Sequence, residues 1–323
     1  MSSQSSQLRV LWPDDLDQTK LPCMPTLTEF YESYVLPCVR APRGRSEGTI
    51  EQDRIALRHW ARITGDPPID AITQQTCARF MAAIADKSPA TRRKIAVHLQ
   101  FVLDHAGPID RRHRSAASLL TSVPYLERPE SVSQEPQRAY TFEEIERLIE
   151  ATREITPSKA IALPDQSLWW ASLIRFAWHT GLRRMNILNS RWTWLRSDGW
   201  LEVPASYYKQ NKAQRRFYLS EPARAAIARI RTKEGKFFAW NGHLSHFRTK
   251  WNQLTRCLPK GRRFGLKAIR RAALTWLAER NPLVARLVAG HRKLDVLEDY
   301  YVQREVVMEL LESMPCPRGW DWT

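Results

Sequence analysis

The chain has 323 residues, with 50 Lys and Arg against 34 Asp and Glu, a formal net charge of +16. Its 43% hydrophobic and 26% charged residues make a globular composition and exclude a disordered tail. The length predicts two domains, and the charge excess calls for a polyanionic partner.

The longest apolar stretch, Ser167–Leu182, is too short to span a bilayer and carries Arg175. Residues 1–8 are rich in Ser and Gln and have no apolar signal core. The five cysteines, Cys23, Cys38, Cys77, Cys257 and Cys316, are scattered and form no CxxC pair. This excludes a disulfide framework or a zinc ribbon, and reduced thiols in the cytoplasm are expected.

In chain order, residues 1–25 are polar and Pro-containing and read as a flexible N-terminal arm. Thr26 caps a helix running to Val35. Ser46–Thr64 is helical, with Ile50, Ile55, Leu57, Trp60 and Ile63 at near-helical spacing. Ile72–Ala85 is a third helix. Ser88 and Pro89 open a fourth that runs to about His105, with Arg92, Arg93 and Lys94 near its start. Residues 26–106 thus make a small all-α domain. Residues 107–137, interrupted by Pro108, Pro124, Pro129 and Pro136, read as a linker with one helical turn at Ala116–Leu120.

Residues 138–323 form the second domain, mainly α with a small β-sheet. Thr141 and Glu144 make a capping box for a helix to Ala151. Ser167–His179 is apolar nearly all round and reads as a buried helix. Trp200–Pro204 and Arg216–Leu219 are short strands joined by the polar segment Lys209–Arg215. Helices follow at Glu221–Arg231, Leu244–Leu258, Leu266–Arg280, Pro282–Ala289, Leu294–Val302 and Arg304–Ser313.

Two basic clusters stand out. Between Phe247 and Arg271 there are nine cations (Arg248, Lys250, Arg256, Lys260, Arg262, Arg263, Lys267, Arg270 and Arg271) and no acid. Between Lys209 and Arg231 there are seven (Lys209, Lys212, Arg215, Arg216, Arg224, Arg229 and Arg231) against Glu221 alone. Such clusters repel unless anions lie between them, which suits a phosphate backbone; a solvated helix face is the plainer alternative.

Four short features carry the candidate chemistry. Thr180-Gly181-Leu182-Arg183 breaks a buried helix at a glycine and presents an Arg whose fork fits a phosphate. On its own it is equally an ordinary helix–Gly–helix junction. Lys267 and Arg270, three apart, share a helix face and can address one anion, or they are one more pair of cations in a basic helix. Gly290 ends a helix and leaves His291 in a turn, able to donate a hydrogen bond or to serve as a plain cap. Tyr300 follows nine residues later. His243 and His246 are spaced by three, but no carboxylate lies close by in sequence, and no metal site is expected.

In order and spacing, the strings HTGLRRMNILNSRW (179–192), KAIRRAALTWL (267–277) and VAGHRKLDVLEDYYV (288–302) resemble the tyrosine recombinase, or phage integrase, family. The resemblance covers roughly Arg138–Val302, with a looser match of residues 26–106 to the family's core-binding domain. It implies an all-α core-binding domain followed by an α+β catalytic domain. It implies that Arg183 and Arg270 are the two catalytic arginines, His291 the histidine after Gly and Tyr300 the nucleophile. Lys209 is the hairpin lysine, preferred over Lys212 on its distance to the strand end at Leu219. Lys267 stands where the family usually has His, and Asn186 where an acid is common. The implied reaction is metal-free and cofactor-free transesterification of double-stranded DNA through a 3′-phosphotyrosyl bond. Arg92, Arg93, Lys94, Lys212, Arg215, Arg262, Arg263 and Arg271 are the expected DNA contacts. A homotetramer on synapsed DNA, an accessory DNA-bending protein and a cytoplasmic, nucleoid-associated location are implied. A type IB topoisomerase, which shares the chemistry and the Lys at 267, and a catalytically silent architectural DNA-binding protein are the competing readings.

Overall fold

The computed structural model describes residues 24–130, 138–207, 215–231, 235–290 and 304–320. They form two compact units that divide between Glu135 and Pro136. Among the described residues, no helix is long and apolar enough to cross a membrane.

The first unit is helical. Thr26 starts α1 (Leu27–Phe30) with a capping box, its hydroxyl accepting the Glu29 N–H while Glu29 accepts the Thr26 N–H. The chain then widens into a π-helix over Tyr31–Arg40 with Pro37 inside it, where a plain helix ending at Val35 was expected. Pro37 lacks the N–H an α-turn needs, and the run closes with the Ala41 N–H on the Leu36 carbonyl at 2.9 Å. This stretch brings two donors to the buried Asp53 of α2 (Glu47–Thr64): Arg40 at 2.7 and 2.8 Å and the Tyr31 hydroxyl at 3.1 Å. Every oxygen of that carboxylate is therefore satisfied, as a buried charge requires.

Helix α3 (Gln74–Ala83) starts later than Ile72 because the Thr73 hydroxyl accepts the Thr76 N–H and caps it. Helix α4 (Pro89–Ala106) opens at Ser88 with Pro in its first turn. Leu27, Tyr31, Leu57, Trp60, Phe80 and Leu99 close the core of this unit. Residues 107–130, expected as a linker, belong to it as well. Leu126 is fully buried, and its N–H donates to the Gln100 side chain of α4 at 2.7 Å. Ala116–Leu120 is irregular rather than helical, with Ser118 at a left-handed φ of +53° and the Ala117 and Leu120 N–H groups bound to the His105 and Ala106 carbonyls. The prolines break local helix, but Leu126 still has apolar surface to bury, and α4 supplies the place.

In the second unit, α5 (Phe142–Glu150) carries the Thr141–Glu144 capping box. Helix α6 (Gln166–Thr180) is buried from Trp169 to Thr180, as its all-round apolar pattern predicts. It packs against α5, α8 (Glu221–Ala228) and α10 (Lys267–Arg280). After α7 (Arg184–Asn189), strands β1 (Trp200–Val203) and β2 (Arg215–Tyr218) pair antiparallel, Trp200 opposite Tyr218. Helices α9 (Leu244–Leu254) and α11 (Pro282–Ala289) complete the core. Helices α8 and α9 are shorter than their sequence patterns, and α9 tightens into a 3₁₀ turn over Thr255–Cys257. The expected helix at Leu294–Val302 lies outside the described residues.

The last helix, α12 (Arg304–Glu312), and the tail behind it dock on this same unit. Leu311 and Met314 are buried in its core. The Glu312 carboxylate accepts the Tyr218 hydroxyl at 2.7 Å and the Glu221 N–H at 2.9 Å, which caps the start of α8. Behind it, the Pro317 carbonyl accepts from Arg175 at 2.9 Å and the Pro315 carbonyl from Trp178 at 2.8 Å. The Trp320 ring N–H reaches the Ile149 carbonyl at 3.2 Å.

Candidate active site

Two turns of the second unit meet at one side chain. Helix α6 ends at Gly181, whose φ of +56° is left-handed, a conformation that costs glycine least. Leu182 is buried, and Arg183 begins α7 as its N-cap, exposed to solvent. Helix α11 ends the same way, at Gly290 with φ +64°. Between them stands Arg270 of α10, 7% exposed. Its guanidinium donates to the Gly181 carbonyl and, at 2.9 Å, to the Ala289 carbonyl. One fork thus binds the turn that presents Arg183 and the turn that leads into His291. An ammonium has no comparable planar geometry.

Lys267 lies one turn before Arg270, at the start of α10, and is exposed. Leu266, Ala268 and Ile269 around it are buried, which fixes the face of α10 from which Lys267 leaves. Among the described residues neither Arg183 nor Lys267 has a side-chain hydrogen bond or ion pair. Two cations are thereby held without a counter-charge beside a third that is built into the backbone. The uncapped start of α10 adds the positive end of its dipole.

Lys209, Lys212, His291 and Tyr300 lie outside the described residues. The structure brings their neighbours into view instead. Tyr207, two residues before Lys209 in sequence, packs edge-on against Trp194 with ring centroids 4.7 Å apart. Ala289 and Gly290 lead directly to His291. Arg304 opens α12 four residues after Tyr300.

Of the expected DNA contacts, Arg262 is committed elsewhere. It donates to both oxygens of Glu144 at 2.6 and 2.5 Å and to the Ala139 carbonyl at 2.8 Å. The Arg262 guanidinium holds the Glu144 carboxyl below its ordinary range, and this pair locks the loop before α10 onto α5. Arg263 donates to the Leu258 and Arg256 carbonyls, and Arg271 to the Arg138 carbonyl at 3.2 Å. Of the nine cations counted in this cluster, Lys250 is also internal: it is 9% exposed and its ammonium binds the Thr156 carbonyl at 2.7 Å. Arg215 sits in β2 opposite Val203. In the first unit, Arg92, Arg93 and Lys94 occupy the first turns of α4, with Arg93 bound to the Pro129 carbonyl at 3.0 Å. His243 caps α9, its ring accepting the Ser245 N–H at 3.2 Å.

The acceptors at the centre of this site, the carbonyls of Gly181 and Ala289, are backbone groups that no residue-type search reveals. The left-handed glycine that follows the buried helix end in each case is their only sequence trace. A polar stripe on α6 was also missed. Ser172, Arg175 and His179 are fully buried, and burial pushes the His179 imidazole down to about 3, with Arg175 adding to the shift.

A scan against family models finds no match, and neither does a comparison with curated proteins. Solved structures do match over most of the chain. A lambda integrase tetramer bound to a Holliday junction aligns with TM-score 0.62 and 15% identity, over 85% of this chain and 77% of that one. The Tn1549 transposon integrase in complex with transposon right-end DNA aligns with TM-score 0.61 and 14% identity, over 86% and 95%. The XerH site-specific recombinase bound to its difH substrate aligns with TM-score 0.53 and 16% identity, over 81% and 79%.

Proposed function

We propose that this chain, which has the fold of the tyrosine recombinases, is a site-specific DNA recombinase of the integrase type. The observation that carries the reading is Arg270, which joins the Arg183 turn to the turn before His291. Gly181 and Ala289, far apart in sequence, meet at this one side chain, which supports a common site for Arg183 and His291. The three similar structures named above are complexes with DNA.

In this reading the Tyr300 hydroxyl attacks a backbone phosphorus, the P–O5′ bond breaks and a 3′-phosphotyrosyl bond forms. The 5′-oxygen leaves with a proton from Lys209. A 5′-hydroxyl of another strand then attacks the phosphotyrosine and restores the tyrosine. Negative charge gathers on the nonbridging oxygens in each transition state. Arg183, Arg270, Lys267 and His291 are the donors that face it, and the two arginines stay charged at every relevant pH. Synapsis of two sites makes a homotetramer on double-stranded DNA the working assembly. An accessory DNA-bending protein and residence on the nucleoid belong to the same proposal. The Lys at 267 also suits a type IB topoisomerase, but the structures above are integrases and a recombinase, and a relaxation assay set beside a two-site recombination assay separates the two.

The test is a nicked suicide duplex carrying sequence that flanks the coding region. The full chain is expected to form a covalent protein–DNA adduct that Tyr300→Phe abolishes while duplex binding persists. An adduct that survives Tyr300→Phe and disappears with Tyr301→Phe moves the nucleophile by one residue. No adduct on any such duplex leaves a basic DNA-binding protein.

A further inference from the structure

The first unit has a second basic surface, at the opposite end of α4 from Arg92, Arg93 and Lys94. Two loops build it. One follows the π-helix, with Arg43 and Arg45 exposed; the other follows α4, with Arg111, Arg112 and Arg114 exposed. Both lie beside the last two turns of α4. Arg40, at the end of the π-helix, stacks on Phe101 at 3.4 Å, Phe101 packs on His105 at 4.4 Å, and His105 meets His113 at 5.4 Å. Burial keeps the His105 imidazole below its ordinary range, and the nearby Arg43 charge adds to that.

The charges here are uncompensated. Three arginines elsewhere in this unit are paired with carboxylates: Arg40 with Asp53, Arg54 with Glu32 and Arg58 with Glu51. Among the described residues, none of the five loop arginines has a side-chain hydrogen bond or ion pair. The two acids beside them are engaged by other groups, although Asp110 is itself exposed. Asp110 accepts the Arg112 and His113 N–H groups at 2.7 and 2.5 Å, and Asp104 accepts from Gln100 at 2.9 Å and lies 3.7 Å from the His113 ring. Five guanidiniums on two loops, each with a free fork, fit a row of phosphates. A membrane-surface element would carry a broad apolar face beside its cations. In these loops Ile109 is the one exposed large apolar residue among those described.

We propose that residues 41–45 and 110–114 form a second phosphate-backbone contact of the first unit, separate from that at Arg92–Lys94. The rise of α4 puts Arg93 and His105 about 18 Å apart, wider than the major groove at about 12 Å. The two clusters therefore address different phosphates of the nucleic-acid backbone. The inference rests on the recombinase reading only for the identity of the polyanion as duplex DNA.

The experiment measures binding of the full chain to a mixed-sequence duplex across a salt series, for the wild type, for Arg43→Gln/Arg111→Gln/Arg112→Gln/Arg114→Gln, and for Arg92→Gln/Arg93→Gln/Lys94→Gln. All four substituted loop side chains are exposed, and an unchanged thermal midpoint confirms that the variant folds. The loop variant is expected to lose about 0.9 from the salt slope per phosphate contact removed, additively with the α4 variant. An unchanged slope and affinity overturns the inference, whether or not the wild type forms the Tyr300 adduct. A reduced slope in a protein that forms no adduct upholds it and defeats the recombinase reading. Unaltered DNA binding with lost binding to anionic phosphatidylserine vesicles overturns it in favour of a lipid surface.

Discussion

Arg270 and Gly181 lie 89 positions apart in sequence and are joined by a hydrogen bond from guanidinium to carbonyl. The same guanidinium holds Ala289, so an arginine expected to grip phosphate also sets the frame in which phosphate is gripped. Arg270→Lys keeps the charge and loses the fork. It is expected to lower suicide-substrate cleavage roughly a hundredfold to a thousandfold and to cost about 1–3 kcal/mol of stability, because two buried carbonyls lose a donor. Single-turnover cleavage and denaturant unfolding measure the two effects. Full activity in Arg270→Lys would show that the bridge is dispensable.

Arg183 makes the opposite prediction. It is exposed and none of the described residues holds it, so its removal leaves the fold alone. Arg183→Gln is expected to leave the thermal midpoint within the experimental spread while cleavage falls by a similar hundredfold to thousandfold. Lys267→Gln is expected to follow the same pattern with a smaller loss. A large drop in midpoint for Arg183→Gln would mean that the side chain is structural.

These two arginines show where sequence patterns inform and where they stop. Helix starts were legible where they are chemical: Thr26, Ser88 and Thr141 each accept a backbone N–H, as does Thr73, which the expected start at Ile72 passed over. The spacing of Lys267 and Arg270 placed them on one helix, but spacing does not tell which of two cations is buried. Arg270 and Lys250 looked like surface charges because their partners are carbonyls, which every residue has. The π-helix at Pro37 and the packing of residues 107–130 were hidden for a related reason. In both, tertiary burial of Tyr31, Arg40 and Leu126 outweighs the local signal of proline.

Arg262 and Glu144 form a two-point ion pair that ties the loop before α10 to the start of α5. Arg262→Ala leaves a largely buried carboxylate without its fork and is expected to destabilise the protein by about 1–3 kcal/mol. The Glu144 carboxyl titrates below its ordinary value, chiefly through the Arg262 hydrogen bonds. The stability it contributes is present above the ordinary glutamate range and is lost as pH falls through its folded value. The wild type is therefore expected to lose more stability on acidification than Arg262→Ala. Equal loss in the two proteins would show that the pair stores none.

Glu312 links the end of the chain to the hairpin strand and to α8. Glu312→Gln keeps one acceptor oxygen and loses the charge at the helix start. Its expected cost is about 0.5–2 kcal/mol, the range for a helix cap. Because α12 begins four residues after Tyr300, the same change is expected to slow adduct formation without altering duplex affinity. The readout is the ratio of cleavage rate to binding constant. A cleavage rate equal to that of the wild type would separate the docking of α12 from the chemistry.

His179 supplies a pH test that involves neither DNA nor the tyrosine. Its ring is fully buried on α6, and among the described residues neither nitrogen has a hydrogen-bond partner. Desolvation, reinforced by Arg175, holds it neutral down to about pH 3. In the unfolded chain the same imidazole protonates near its ordinary value of about 6.5. Between those two values the unfolded state binds the extra proton, so stability falls as pH falls across that window. The slope from this one group reaches about 1.4 kcal/mol per pH unit. His179→Phe, of similar size and without a titrating group, is expected to flatten the acid limb of the stability profile by that amount. Denaturant midpoints of both proteins between pH 6.5 and 4 decide it, and parallel profiles would mean that the buried imidazole finds a proton-sharing partner.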